Sequence, residues 1–326
     1  MNRRRQLLML GTGIGALAIA LPGLAQQGAA AVRIGWISFT DPGVQLEDFR
    51  EGLRVLGYAG AHEVRVERRL VPRDAQGVLA AVDELLQQRV ALIVVQANAA
   101  SFVQRAVAGR IPTVFAFSGD PVEAGLVQSF ARPGGNITGM SFMALELVGK
   151  RLELIRELAP KTRRVAILAN PQHPGEKAER RESLAAAQRL GLQIAYVEFN
   201  PAQAFDAALD KVRTQGCEGL VVFPDAGMLA RARQIAEFAL TARLICVSGW
   251  AEFAQAGCIA SYGPNLRDGY RRLAHYVDRI VKGAHPSSLP VELPARLEMV
   301  LNQKTADALG LTIPQSLLLR ADEVVR

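Results

Sequence analysis

From Val32 onward the chain alternates short apolar runs with amphipathic stretches, and that alternation restricts it to a small set of folds. Val32-Arg33-Ile34-Gly35-Trp36-Ile37 reads as a strand and 46–56 as a helix. A second strand spans 64–70, after which Val78, Leu79, Val82, Leu85 and Leu86 recur at the spacing of one helix face. The uninterrupted run Ala91-Leu92-Ile93-Val94-Val95 suits a strand buried on both sides. Phe102, Val103, Ala106 and Val107 mark the next helix, and 113–117 the fourth strand. A second set of the same units follows Lys161-Thr162-Arg163: strands at 165–169, 193–197, 220–223 and 244–247, with helices at 177–190, 202–215 and 228–240. Right-handed crossovers then cover both faces of each parallel sheet. The expected class is α/β, two doubly wound parallel-sheet lobes, and 326 residues suit two cores better than one.

The first thirty residues follow a different rule. Arg3, Arg4 and Arg5 precede an apolar stretch over 7–21 that ends at Gly23-Leu24-Ala25, which reads as an export signal cut after Ala25. Arg4-Arg5-Gln6-Leu7-Leu8 also resembles a twin-arginine signal, so the secretory and twin-arginine routes both stay open. No Cys lies near the cut, and the expected product is periplasmic and not membrane-embedded. Gly11-Thr12-Gly13-Ile14-Gly15-Ala16 spells a dinucleotide-binding turn, but no strand feeds it.

Half the residues are hydrophobic and 21% charged, with a formal charge of +7 that falls when the three leader arginines leave. Basic residues are scattered, so no nucleic-acid partner is expected. Cys217, Cys246 and Cys258 read as small apolar core residues, with a 217–246 or 246–258 bridge left open.

Ligands of such sheets bind beyond the carboxyl ends of the strands. That rule selects the loops carrying Ser38, Phe39, Thr40, Asn98, Ala99, Ser118, Asp120, Ser141, Asn170, Asp225 and Trp250. Ser, Asn and Asp at such positions also cap the following helix, and both roles are compatible. Among the scarce aromatics, Phe39, Trp250 and Tyr262 adjoin polar loops and can face a ligand, whereas Phe117 and Phe142 read as core. No G-x-S-x-G or phosphate-binding G-x-x-x-x-G-K-[ST] occurs. His62, His173, His275 and His285 lie apart from one another and from the cysteines, so no metal or cofactor is expected; His173 and His285 read as solvent-facing. Asp120 and Asp225, one per lobe, can form an acid–base pair or hold a cationic group.

The segment 111–139, Ile-Pro-Thr-Val-Phe-Ala-Phe-Ser-Gly-Asp-Pro-Val-Glu-Ala-Gly-Leu-Val-Gln-Ser-Phe-Ala-Arg-Pro-Gly-Gly-Asn-Ile-Thr-Gly, resembles the periplasmic ABC-transporter substrate-binding proteins whose characterised members bind tryptophan or related amino acids. Glu51-Gly-Leu-Arg-Val-Leu-Gly-Tyr58, Ser261-Tyr-Gly-Pro-Asn265 and the tail over 289–324 support the likeness. The resemblance implies a type I periplasmic-binding-protein fold with three crossings between lobes. One lobe would be 32–139 plus 264–285 and the other 140–263 plus 286–326, hinged near 139–141, 261–263 and 284–289. It implies a monomer that traps a small ligand, an amino acid or another small carboxylate, and presents it to an inner-membrane permease with a cytoplasmic ATPase. Relatives often place Gly-Thr or Gly-Ser where this chain has Ala97-Asn98, and an acidic residue where it has Gly249. The rival readings are a periplasmic enzyme using Asp120 and Asp225, and a sensory protein feeding a receptor.

Overall fold

The computed structural model describes residues 31–58, 64–143, 145–173, 175–199 and 205–326. The expected export signal and His62 lie outside them. β1 (Val32–Ser38) is the strand around which the first lobe is built. β2 (Val64–Leu70) pairs with it from Val32↔Val64 to Ser38↔Leu70, and β3 (Leu92–Gln96) pairs on its other side, both parallel. β4 (Thr113–Phe117) and β5 (Ile137–Ser141) complete a five-stranded sheet in the order β2-β1-β3-β4-β5. Every residue of β3, β4 and β5 is buried, as their apolar runs require.

Helices α1 (Gly43–Val55), α2 (Ala75–Gln87) and α3 (Ala99–Val107) carry the crossovers. The start of α2 is fixed by Asp74, whose side chain accepts a hydrogen bond from the Gly77 N–H at 2.7 Å.

The second sheet has seven strands in the order β12-β11-β10-β9-β8-β6-β7. β6 (Arg164–Ala169), β7 (Gln193–Glu198), β8 (Gly219–Val222), β9 (Ile245–Ser248) and β10 (Ala260–Pro264) pair in parallel. β11 (Leu297–Asn302) runs antiparallel to β10, and β12 (Glu323–Val325) lies parallel beside β11. The helices of this lobe are α4 (Val148–Leu158), α5 (Glu176–Leu190), α6 (Phe205–Thr214), α7 (Ala226–Leu229), α8 (Ala232–Thr241) and α9 (Ala251–Ala256). α10 (Leu266–Val281) returns to the first lobe and packs on α1, β4 and β5. α11 (Gln303–Leu309) and α12 (Gln315–Leu318) complete the second.

Two expected lobe boundaries move. A division at 139–140 cuts through β5, which pairs with β4 as far as Phe117↔Ser141. A division at 285–286 precedes a segment that is bonded to the first lobe: Val291 N–H donates to Phe130 O at 2.7 Å, Ser141 N–H to Glu292 O at 3.0 Å, and Thr138 Oγ1–H to Leu289 O at 2.6 Å. The chain therefore leaves the first sheet after Ser141 and again after Glu292, and it enters the first lobe between β10 and α10. The expected helix at 228–240 is two helices, α7 and α8, interrupted where Arg231 turns back to donate to Gly227 O at 3.1 Å.

Candidate functional site

Strand ends from both sheets meet at one place. Two adjoining cavities, of about 10 and 20 Å³, share Gln96, Ala97 and Ala226 as walls. The first is lined further by Ser38, Phe39, Thr40, Arg73 and Asn98 of the first lobe and by Asn170, Asp225 and Gly227 of the second. The other is lined by Gln45, Ala116, Ser118, Phe142, Leu266 and Tyr270 with Leu229 and Trp250. One chamber is thus polar and charged, the other largely apolar and aromatic.

Polar bonds hold the lobes against each other over these chambers. Asn98 stands at the N-cap position of α3, yet its side chain does not cap; its Nδ2–H reaches across to Gln172 O at 2.8 Å. Ser118 Oγ lies 2.7 Å from His173 Nε2. The loop that supplies Gln172 and His173 follows β6 and is shaped by Asn170, whose Oδ1 accepts from Gln172 N–H at 3.0 Å.

Opposite charges face the polar chamber from opposite lobes. Arg73 follows β2 and lays its guanidinium over the Phe39 ring, 5.3 Å from the centroid. Burial lowers its pKa and the Asp225 carboxylate counteracts this. Asp225 follows β8, is 5% exposed, and uses Oδ1 to accept the Met228 N–H at 2.8 Å. Its Oδ2 is buried with no partner, as are Gln96 Oε1 and Trp250 Nε1. Buried polar atoms of this kind are uncommon, and three around one pair of cavities mark a place built to bond something else. Gln96 Nε2–H donates to Tyr270 Oη at 2.8 Å, and the Tyr270 ring stacks on Phe142 with centroids 5.5 Å apart. Ala97 holds φ at +54°, a left-handed conformation that glycine adopts without strain, so the backbone is strained where it enters both chambers.

Of the twelve expected site residues, Ser38, Phe39, Thr40, Asn98, Ser118, Asn170, Asp225 and Trp250 line the chambers. The other four do not. Ala99 is fully buried as the first residue of α3. Asp120 accepts from the Val122 and Glu123 N–H groups at 2.7 and 3.2 Å, which commits it to the turn after β4. Ser141 Oγ–H donates to Gly119 O at 2.9 Å, supporting the loop behind Ser118. Tyr262 lines a separate groove with Lys150, Glu157, Arg320 and Asp322. Asp120 and Asp225 are therefore not gathered at one chamber.

His173 also departs from expectation. It is 4% exposed, because the loop that holds it is pressed between Ser118 and the second lobe. Burial lowers its pKa against the opposing pull of Asp225 and Glu176. Its Nδ1 faces Glu179 Oε2 at 3.8 Å, and Glu179 Oε1 lies 3.9 Å from Arg151 Nη1. Arg151 Nε–H donates to Tyr262 O in β10 at 3.1 Å. Burial pushes the Glu179 carboxyl up to about 8 despite Arg151. A line of buried ionisable groups thus runs from the chamber wall to a strand that leads into a lobe crossing.

Arg73, Gln96, Phe142 and Tyr270 were not among the expected site residues. A rule that searches strand ends for hydroxyl, amide and carboxylate groups passes over an arginine, and Gln96, which opens the loop the rule selects after β3, was not taken as a contact in its own right. Tyr270 arrives on α10, from the far end of the chain. Among the described residues no group of His, Cys, Asp and Glu is placed to hold a metal, and no helix is long and apolar enough to cross a membrane.

A tyrosine-binding protein of Clostridioides difficile (strain R20291) is 21% identical to this chain over 202 residues, 62% of this chain. The match spans 57% of the length of that curated relative. An ABC domain from Streptococcus pneumonia, solved in complex with L-Trp, superposes with a TM-score of 0.81 at 23% identity, covering 91% of this chain and 100% of that one. A conserved domain protein from Vibrio cholerae O1 biovar El Tor gives 0.77 at 23% identity over 90% and 99% of the two chains. The architecture is the type I periplasmic-binding-protein fold. The model of the family described as ABC transporter substrate binding protein matches residues 43–325, and with two lobes enclosing a polar and an aromatic chamber on the same residues, the chain belongs to that family.

Proposed function

We propose that this chain is the periplasmic ligand-capturing component of an ABC importer, and that it closes over an α-amino acid with an apolar or aromatic side chain before delivery to a permease. The observation that carries the reading is the pairing of Arg73 and Asp225 across one chamber, with the Asp225 Oδ2 buried and unpartnered. A zwitterion answers both groups at once, its carboxylate at Arg73 and its ammonium at Asp225. Its side chain would extend toward Trp250, Phe142 and Tyr270, where Gln96 Oε1 awaits a donor and Trp250 Nε1–H an acceptor. The L-Trp of the Streptococcus structure and the tyrosine of the Clostridioides protein are of this chemical class.

Cavities of about 10 and 20 Å³ each hold about one water, so the guest enters only when the lobes part. Closing then gains the Asn98–Gln172 and Ser118–His173 contacts, and the ligand shifts the population toward the closed form by its extra bonds there. A thermal-shift panel of L-amino acids and small carboxylates on residues 26–326 tests the reading. A true ligand at one hundred times its Kd stabilises by about 2.7 kcal/mol, a visible rise in Tm. No response to any amino acid would refute the proposal.

A further inference from the structure

Two of the three cysteines meet in the core of the second lobe. Cys246 lies within β9, and Cys258 precedes β10, its parallel neighbour; Ile259 N–H donates to Cys246 O at 3.0 Å between them. The two sulfurs are 2.9 Å apart, inside ordinary contact for two unbonded thiols, and the residues are 2% and 0% exposed. Trp250 and Phe253 belong to the same apolar cluster. No third ligand stands by to make a metal site among the described residues. Cys217 is only half-buried and its sulfur meets no other cysteine.

We propose that Cys246 and Cys258 are joined by a disulfide in the exported chain, stapling β9 to β10 across the loop that carries Trp250 and α9. The bond depends on the export argued above only for its source of oxidant. Each thiol gives up its proton, one S–S bond forms, and the two electrons reduce a disulfide of the oxidant to two thiols. In the cell that oxidant is a thiol–disulfide oxidoreductase of the periplasm, and in a tube it is oxidised glutathione. The Cys258 contact and then burial raise the Cys246 pKa, so the folded dithiol has little thiolate to offer. Oxidation therefore belongs to folding, before the lobe closes over the pair, and the folded reduced chain should resist it. The bridge would close a loop of twelve steps, fixing the segment that places Trp250 on the chamber wall.

Residues 26–326, unfolded and reduced, are refolded in a glutathione redox buffer, denatured in N-ethylmaleimide and weighed. The expected product carries one maleimide, on Cys217, with the peptides of Cys246 and Cys258 linked. Three maleimides, or a linked peptide containing Cys217, would overturn the proposal. In parallel, reductant should lower the Tm of the oxidised chain by roughly 5–10 °C. The double variant Cys246→Ala, Cys258→Ala should be indifferent to reductant. A refolded chain with the same Tm with and without reductant, its sulfurs unlinked by mass, would equally defeat it.

Discussion

Asp225 divides its carboxylate between two tasks: Oδ1 caps α7, and Oδ2 sits buried without a partner. Asp225→Asn keeps an oxygen for the cap and removes the charge. The ligand-free variant should therefore melt no lower than the parent, since a buried charge whose Oδ2 has no hydrogen-bond partner has been removed, a trade of stability for function. A loss of more than about 2 kcal/mol in urea unfolding would mean the charge is structural.

His173 and Glu179 give a prediction in pH. In the folded chain His173 is held neutral and Glu179 protonated, so the pair carries one proton. With ordinary values of 6.5 and 4.5, the unfolded chain carries two protons below pH 4.5, one between, and none above 6.5. The pair's contribution thus falls as pH rises from 6.5 to about 8, while below 6.5 the proton taken up by the unfolded histidine opposes the one at Glu179. In Glu179→Gln only the histidine titrates: its contribution falls below 6.5 and is flat above. Urea unfolding of both chains at pH 5–8 should show the parent losing up to about 1.4 kcal/mol per pH unit relative to the variant on the alkaline side. Parallel curves would contradict the assignment. None of this was legible locally, because a histidine in a Pro-rich loop reads as exposed until the opposite lobe is placed against it.

At the scale of elements, the periodic patterns located the strands and helices of the two repeated sets, and failed where identity depends on a distant neighbour. The hinge expected near Gly139-Met140-Ser141 falls on the last residues of β5, a strand the periodicity did not pick out because glycine interrupts it; an added Cβ at Gly139 would stand 2.1 Å from Phe115 O in β4. The three strands at the far edge of the second sheet lie outside the repeated units, and β11 reverses direction. Gly52 in α1 faces α10 so closely that a Cβ would lie 2.4 Å from Arg271 O, a backbone atom that cannot step aside. Gly52→Ala gains helix propensity of about 1 kcal/mol but must push two helices apart. It should destabilise by about 1–3 kcal/mol in urea unfolding, whereas a stabilised variant would show that the helices have room.

At the scale of the molecule, three crossings join the two sheets, the arrangement that the proposed parting of the lobes requires. The eight expected residues that line the chambers were legible because strand ends of a doubly wound sheet gather on one edge. Ala99, Asp120 and Ser141 obey the same rule and do not line them, since the rule names the edge and not the direction of a side chain; Tyr262, chosen as an aromatic, lies within β10. Solution scattering of the ligand-free chain should give a larger radius of gyration than the closed structure, and ligand should reduce it. Asn98→Ala, which deletes one lobe-to-lobe bond, should require more ligand for the same contraction.

Calorimetric titration of L-tryptophan and L-tyrosine into the parent chain and into Asp225→Asn is the most direct test. A zwitterion clamped between Arg73 and Asp225 predicts saturable binding of at least one of them to the parent. It also predicts a Kd weaker by about tenfold or more in the variant, the worth of one charged hydrogen bond. Equal affinities in the two chains, or no heat from either amino acid, would contradict it.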